Sequence, residues 1–315
     1  MQIKNVVLIL FFSLSLTGLF AQQDKLITNF MYDKMSINPG KTGIDMDNSI
    51  CATSIYRNQW DKVNGAPNSA VLNIEGNFSR LFKGGLGLAF YHDAIGFSRQ
   101  NNLLLNYSYP IQIGNVGVLG LGLGIGIINY GIEPTWVPPT STTDPSLPLG
   151  FAATNLDANF GAYFQGKDFY AGLSSTHISE SLLEKSVAGL DQNYQTARHY
   201  YLMGGKTFDD VLNGKIDAQV LMRTDLVKLS FDLNARYFYS LNDHDLYGGI
   251  SYRNSDAIAV LFGYSPIDRF TVGYSYDITI NKLSSVSRGS HEILFKYCFN
   301  LPEPKMTYSR NPRWL

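Results

Sequence analysis

The chain has 315 residues, with Lys+Arg 25 against Asp+Glu 26, so no bulk field attracts nucleic acid or anionic lipid and partners must meet local surfaces. Charged residues make up only 16% and aromatics 13%, with 20 Tyr, 19 Phe and 29 Gly. That balance disfavours a soluble enzyme of this length and suits a β-protein bathed in lipid.

The opening stretch MQIKNVVLILFFSLSLTGLFAQQ carries one cation, Lys4, an apolar run from Val6 to Phe20, and a small residue, Ala21, before two glutamines. The run is shorter than the ~20 residues of a membrane-spanning helix, so residues 1–21 read as a cleaved signal peptide. Leu19 fits the small-residue position before the cut poorly, and no Cys follows closely enough to make a lipidated N-terminus. Residues 22–47 then form a segment of their own, a periplasmic arm or a plug.

From residue 48 to 299 the chain alternates with a period of two. Segments of strand character run at Asn48–Asn58, Ser69–Arg80, Gly85–Asp93, Asn101–Ile113, Val116–Ile132, Ala152–Gln165 and Asp168–Ile178. They continue at Arg198–Phe208, Lys215–Thr224, Val227–Leu241, Asp245–Arg253, Ala257–Ser265, Arg269–Asn281 and His291–Phe299. The clearest is Val227–Leu241, with Val, Leu, Phe, Leu, Ala, Tyr, Tyr and Leu on one parity and mostly polar residues on the other. One greasy face and one wet face, repeated about fourteen times at roughly ten residues each, predict an all-β transmembrane antiparallel β-barrel. Gly114 with Asn115, Asn213 with Gly214 and Asn242 with Asp243 read as tight turns. Glu133–Gly150 and Ser179–Ala197 read as long connections, the second able to carry a short helix. Gly120–Gly126, GLGLGIG, is alternating glycine in a strand that faces a crowded lumen rather than a nucleotide loop. Residues 300–315 follow the last strand with three prolines, which bars them from the sheet and predicts a periplasmic tail that hangs free or folds back on the barrel.

The inward parity collects Arg57, Glu75, Arg223, Lys228, Asp232, Asn234, Arg236, Arg253, Asp277, Glu292 and Lys296. Mixed signs favour an ion-paired, filled interior over a pore of one sign. Arg57, Asp277 and Glu292, on the first and last two segments, are the foremost ion-pair candidates, ahead of acid/base chemistry. Cys51 and Cys298 share lumen parity on the first and last strands. A disulfide could lock that seam, but cross-strand geometry is often poor for one, which favours two unpaired small residues. His291-Glu292 lacks the second His of a zinc-protease helix, and His92, His177, His199 and His244 are scattered, so neither a metal nor a cofactor is expected. No Gly-Xaa-Ser-Xaa-Gly elbow appears, and the chain reads as a non-enzyme.

Several motifs narrow this barrel to a family. Ile37-Asn38-Pro39-Gly40 precedes Tyr56-Arg57-Asn58-Gln59-Trp60 and Gly65-Ala66-Pro67; Tyr107-Ser108-Tyr109, Ile250–Arg253, Gly273–Asp277 and Ser290–Ile293 follow. Their order resembles the PorP/SprF family of outer-membrane proteins associated with type IX secretion and gliding motility. Gly40 stands where that family usually has Ala, and Asp33 where its upstream segment often has Asn. The aromatic ending Phe295–Phe299 resembles the signal read by the barrel-assembly machinery. The resemblance implies an outer-membrane protein of a Gram-negative bacterium whose partners are lipid and other type IX components, such as the periplasmic ring, or a large surface adhesin that it helps to export and anchor. Asn38, Pro39, Gly40, Tyr56, Arg57, Asn58, Gln59 and Trp60, with Arg310, Arg313 and Trp314 of the tail, are the expected family-motif or partner contacts. For Arg57–Trp60 a second reading stays open, an aromatic girdle beside a paired lumen arginine. A passive porin or small-solute transporter is the rival function, and it requires an open lumen.

Overall fold

The computed structural model describes residues 25–46, 48–78, 81–133, 150–187, 190–242 and 244–301. The expected signal peptide, most of the Pro/Ser/Thr-rich connection and the tail with Arg310, Arg313 and Trp314 lie outside the described residues.

Sixteen strands are described: β1 Ser49–Asn58, β2 Asn68–Asn77, β3 Gly85–Ile95, β4 Ser98–Ile113, β5 Gly117–Ile132, β6 Phe151–Gly166, β7 Phe169–Thr176 and β8 Leu182–Val187. The rest are β9 Leu190–Gln195, β10 His199–Val211, β11 Gly214–Thr224, β12 Leu229–Leu241, β13 His244–Arg253, β14 Ala257–Ile267, β15 Phe270–Thr279 and β16 Ser290–Asn300. All but β8 and β9 join one closed barrel of fourteen strands. Its seam is the antiparallel pair β1 and β16, in register from Ser49 with Asn300 to Asn58 with His291.

Alternation places the two faces. On β5, Leu121, Leu123, Ile125 and Ile127 are exposed outward while Gly120, Gly122 and Gly124 are buried inward. On β12, Leu229 and Leu233 point out and Asp232, Asn234 and Arg236 point in. The outward set, with Leu105, Leu173, Ile250, Phe262 and Phe295 among it, is an apolar surface far larger than a soluble monomer carries; lipid satisfies it.

Two expectations are corrected. The polar stretch Ser179–Ala197 forms the hairpin β8–β9 rather than a short helix. It folds onto the barrel wall, where Leu183 packs with Ile128, Tyr130 and Phe151 and the Tyr194 ring stacks 3.6 Å from that of Tyr130. Lys228 belongs to neither strand nor lumen: Asp225 Oδ1 accepts from the amides of Val227 (3.0 Å) and Lys228 (2.7 Å). This side-chain-capped turn delays the strand to Leu229 and leaves Lys228 exposed.

The start of β1 and the end of β16 meet at one end of the barrel, together with the tight turns at Gly114, Asn213 and Asn242, all with positive φ. We call this the turn end. The opposite loop end carries the β1–β2 connection at 59–67, the β8–β9 hairpin and the connection from 280 to 289.

The barrel is not empty. Residues 25–46 lie inside it as short helical turns at Phe30–Tyr32, Lys34–Ile37 and Pro39–Lys41, nearly all buried. The hydrophobic core lies between this segment and the wall: Phe30, Met31 and Ile37 share a cluster with Tyr163, Tyr170, Tyr201, Met203, Leu221, Tyr247, Ala259 and Leu261. Ile27 packs with Ile55, Val71, Tyr91 and Leu294, and Met35 with Ala89 and Leu104. Each such side chain would otherwise face a water-filled lumen, so its burial contributes roughly 1.5–3 kcal/mol to holding the segment in place.

Candidate functional site

The site is the contact between the inner segment and the wall, and it has two anchors. The first lies toward the loop end. Arg57 of β1 and Glu292 of β16 face each other across the seam, and both side chains are buried. Arg57 Nη1 donates to Glu292 Oε2 (3.2 Å) and Arg57 Nη2 to Asp277 Oδ2 on β15 (2.7 Å). The inner segment completes the set. The amides of Thr28 and Asn29 donate to the two oxygens of Glu292 at 2.9 and 2.8 Å, and Asn29 Nδ2 adds a third bond at 2.7 Å. Thr28 Oγ1 donates to Asp277 (2.7 Å) and accepts from Arg57 (2.9 Å) and Arg253 (3.1 Å). Arg253 Nε in turn binds Asp232 (2.7 Å), which also pairs with Arg223. One hydroxyl of the inner segment thus joins charges from β1, β13 and β15.

A carboxylate as buried as Glu292 is tolerable only when its lone pairs are filled. Here three of its four donors come from residues 28 and 29 rather than from the barrel. Asp277 Oδ2 takes the hydroxyl of Thr28 and the guanidinium of Arg57.

The second anchor is the turn Asn38-Pro39-Gly40. Pro39 opens the helical turn and Asn38 caps it, its Oδ1 accepting from the Gly40 amide (2.9 Å). Asn38 Nδ2 reaches the wall, donating to the carbonyls of Ala162 (3.0 Å) and Leu173 (3.3 Å) on β6 and β7. Ser108 Oγ on β4 donates to the Gly40 carbonyl and Ser174 Oγ on β7 to that of Ile37, both at 2.8 Å or less. The turn fits because the wall lacks side chains there. A Cβ built on Gly122 would stand 2.2 Å from the Pro39 carbonyl carbon, and one on Gly161 would stand 2.0 Å from Asn38 Oδ1. The alternating glycines of β5 are the floor of this cradle.

Elsewhere along the segment, Lys25 pairs with Asp33 (2.9 Å), and Lys41 with Asp45 (3.0 Å) and Glu75 (2.5 Å). Burial alone would lower the Lys41 ammonium, but the carboxylates of Asp45 and Glu75 outweigh it and hold its pKa above the usual lysine range. Lys34 has no such pair among the described residues. Its Nζ lies 3.6 Å from the centre of the Tyr170 ring, and burial pushes its pKa down to about 7, with Asp45 opposing. A lysine lowered on folding releases its proton at a pH where the unfolded segment still holds it. Seating should therefore strengthen as pH rises from about 7 toward 10.5, with a slope short of about 1.4 kcal/mol per pH unit because Lys34 keeps partial solvent contact. Proteolysis of the segment measured across that range should show this slope, and Lys34→Met should flatten it.

Several expected contact residues turn inward. Asn38, Pro39, Gly40 and Arg57 are buried and spent on contacts within the chain, Gln59 is buried with its backbone amide on the Pro67 carbonyl, Tyr56 points outward at 52% exposure, and Asn58 and Trp60 sit half-buried at the loop end. Cys51 and Cys298 are directly opposed in the seam and joined as a disulfide, which corrects the reading of two unpaired residues. Antiparallel closure brings their Cα atoms within 4.0 Å. Replacing either with Ser should cost about 2–4 kcal/mol and abolish the difference between reduced and non-reduced electrophoretic mobility.

Sequence reading missed Asp217, which pairs with Arg236 (2.5 Å), and Asp157, which lies 2.8 Å from His177 Nδ1. Asp217 shares the strand and parity of Arg223, so the rule that found one would have found the other. It also missed Thr28 and Asn29, whose roles depend on partners more than two hundred residues away.

The profile described as "Type IX secretion system membrane protein PorP/SprF" matches residues 19–297. The chain belongs to the PorP/SprF family. No curated protein matches it. In fold this PorP/SprF barrel is similar to the CymD monoaromatic hydrocarbon channel, with 12% identity and a TM-score of 0.53 over 86% of this chain and 93% of the other. The Ralstonia pickettii toluene transporter TbuX gives 12% and 0.53 over 85% and 93%. The Pseudomonas putida toluene transporter TodX gives 11% and 0.53 over 88% and 95%. At such identity the likeness is one of fold. Family, closed barrel and lipid-facing belt together make the PorP/SprF chain an outer-membrane β-barrel.

Proposed function

We propose that this PorP/SprF barrel is a non-enzymatic docking component of the type IX secretion and gliding apparatus, kept closed by residues 25–46 acting as its own plug. Its turn end faces the periplasm, following the general habit of outer-membrane barrels to keep short turns there, and offers the surface for periplasmic ring partners or for the export and anchoring of a surface adhesin. The observation that carries this reading is the use of the lumen. Its charges are spent on the inner segment and on one another, and a conducting pore needs them facing water around a constriction.

A mild-detergent pull-down from intact outer membrane tests the proposal, alongside a version truncated after Phe299. Co-recovery of ring proteins or adhesin, reduced by the truncation, is the expected result and places a contact in the tail. Recovery of the barrel alone, from membranes that contain the apparatus, would sink the docking role in favour of a passive transporter.

A further inference from the structure

Residues 25–46 run one way through the barrel. Lys25 lies at the loop end, where its carbonyl accepts from Nη1 of Arg223 (3.3 Å), the last residue but one of β11. Ile27 packs on Ile55, Val71 and Leu294, and Thr28 meets Arg57, the last but one of β1. From there the partners step down the wall: Met35 against Ala89 and Leu104, Asn38 on the Ala162 carbonyl, Gly40 on Ser108. The Gly43 amide donates to Glu75 Oε2 (3.0 Å), close to the turn-end finish of β2. Asn48 closes the run at the turn-end rim, accepting from the Leu301 amide (2.9 Å) and donating through Nδ2 to the Leu301 carbonyl (3.0 Å).

The two ends of the segment are therefore not equivalent. The Met46 end is fastened, because only Asp47 separates it from Asn48 and the closed seam. The Lys25 end joins no strand. Geometry then decides how the lumen can be cleared. Were the segment to leave through the loop end, the chain rising from Ser49 would still have to span about 30 Å of bilayer core. That takes roughly nine extended residues at ~3.3 Å each, and they would stay in the lumen, Lys41 and Gly43 among them. Exit through the turn end leaves nothing behind, since the fastening point already stands at that rim. Asp45, the one exposed residue among 25–46, lies at the same exit.

We propose that residues 25–46 are threaded outward and withdraw only into the periplasm: the free end is displayed at the outer mouth, and the fastened end forms part of the periplasmic mouth. This rests on the reading that the turn end faces the periplasm and is the docking surface. A partner seated there stands at the one exit through which the lumen empties, so docking and opening share a surface.

Epitopes inserted in the full-length protein test both halves. One between Gln23 and Asp24, past the expected signal-peptide cut, reports the free end. Inserts between Asn254 and Ser255 and between Asn213 and Gly214 report the loop and turn ends. On intact cells, antibody should bind the first two and reach the third only after the outer membrane is permeabilised. Gly122→Val releases the segment; should cells carrying it stay closed to large antibiotics, Gly161→Leu is added. In a released barrel that keeps its heat-modifiable gel shift, surface signal from the first epitope should fall several-fold and return on permeabilisation. A first epitope that shares the side of the Asn213 insert would overturn the threading. A released, antibiotic-permeable barrel that keeps its full surface signal would overturn the periplasmic exit. Exchange of sides by all three epitopes would instead overturn the docking reading, and the direction of withdrawal with it.

Discussion

Arg57→Ala should destabilise the barrel by about 3–5 kcal/mol, seen as a lower urea midpoint and loss of the compact heat-modifiable form. The substitution removes the Nη1 and Nη2 bonds to Glu292 and Asp277 together with the bond to Thr28. Both carboxylates stay buried, and the seam loses its cross-strand charge pair. Arg57→Lys should recover only part of the loss, because an ammonium cannot span three acceptors in the plane of a guanidinium. A double-mutant cycle with Glu292→Gln should show coupling of roughly 1–3 kcal/mol. Tyr56→Ala is the informative control. One residue away, it faces outward, so it should leave the lumen network intact and change stability far less. Equal effects at residues 56 and 57 would refute the inward network as the source of stability.

Gly122→Val should unseat residues 25–46 without dismantling the barrel. The added carbons would meet the Pro39 carbonyl and the Gly40 amide within 2.3 Å, and backbone atoms on both sides leave no flexible side chain to yield. Cells carrying this variant, or one lacking residues 25–46, should become several-fold more sensitive to antibiotics too large to cross an intact outer membrane. Gly248→Ala supplies the contrast, since no heavy atom lies within 4 Å of a Cβ there. Unchanged sensitivity in the deletion, with the barrel still folded and present in the membrane, would show that something other than this segment closes the lumen. Gly40 belongs to the same contact: a Cβ on it would stand 2.7 Å from the Gly120 carbonyl oxygen, so an alanine there requires the turn to sit a few tenths of an ångström farther from the wall.

The barrel wall was legible in the sequence because its information is local. Period two in Leu229–Leu241 sorts Asp232, Asn234 and Arg236 inward without reference to any other strand. The same rule failed at Lys228, where alternation persists into a turn that Asp225 has already begun. It failed also for the β8–β9 hairpin, whose polar residues carry no lipid-facing stripe. The lumen charges were legible as a set, and closure of the barrel brings Arg57, Asp277 and Glu292 together. What alternation could not supply is the other half of the site. Residues 25–46 have no strand period, and their meaning lies in wall residues such as Gly122, Gly161 and Glu292, far away in the chain. The complementarity was nevertheless written there: Lys25, Asp33, Lys41 and Asp45 are the charges that the lumen or the segment itself neutralises.

Planar-bilayer recording of the purified intact protein tests the central claim most directly, with the deletion of residues 25–46 recorded beside it. A closed docking barrel predicts no steady channel current from the intact protein and large, long-lived steps from the deletion. Steady ohmic conductance from the intact protein, equal to that of the deletion, would contradict the account and return the barrel to the porins.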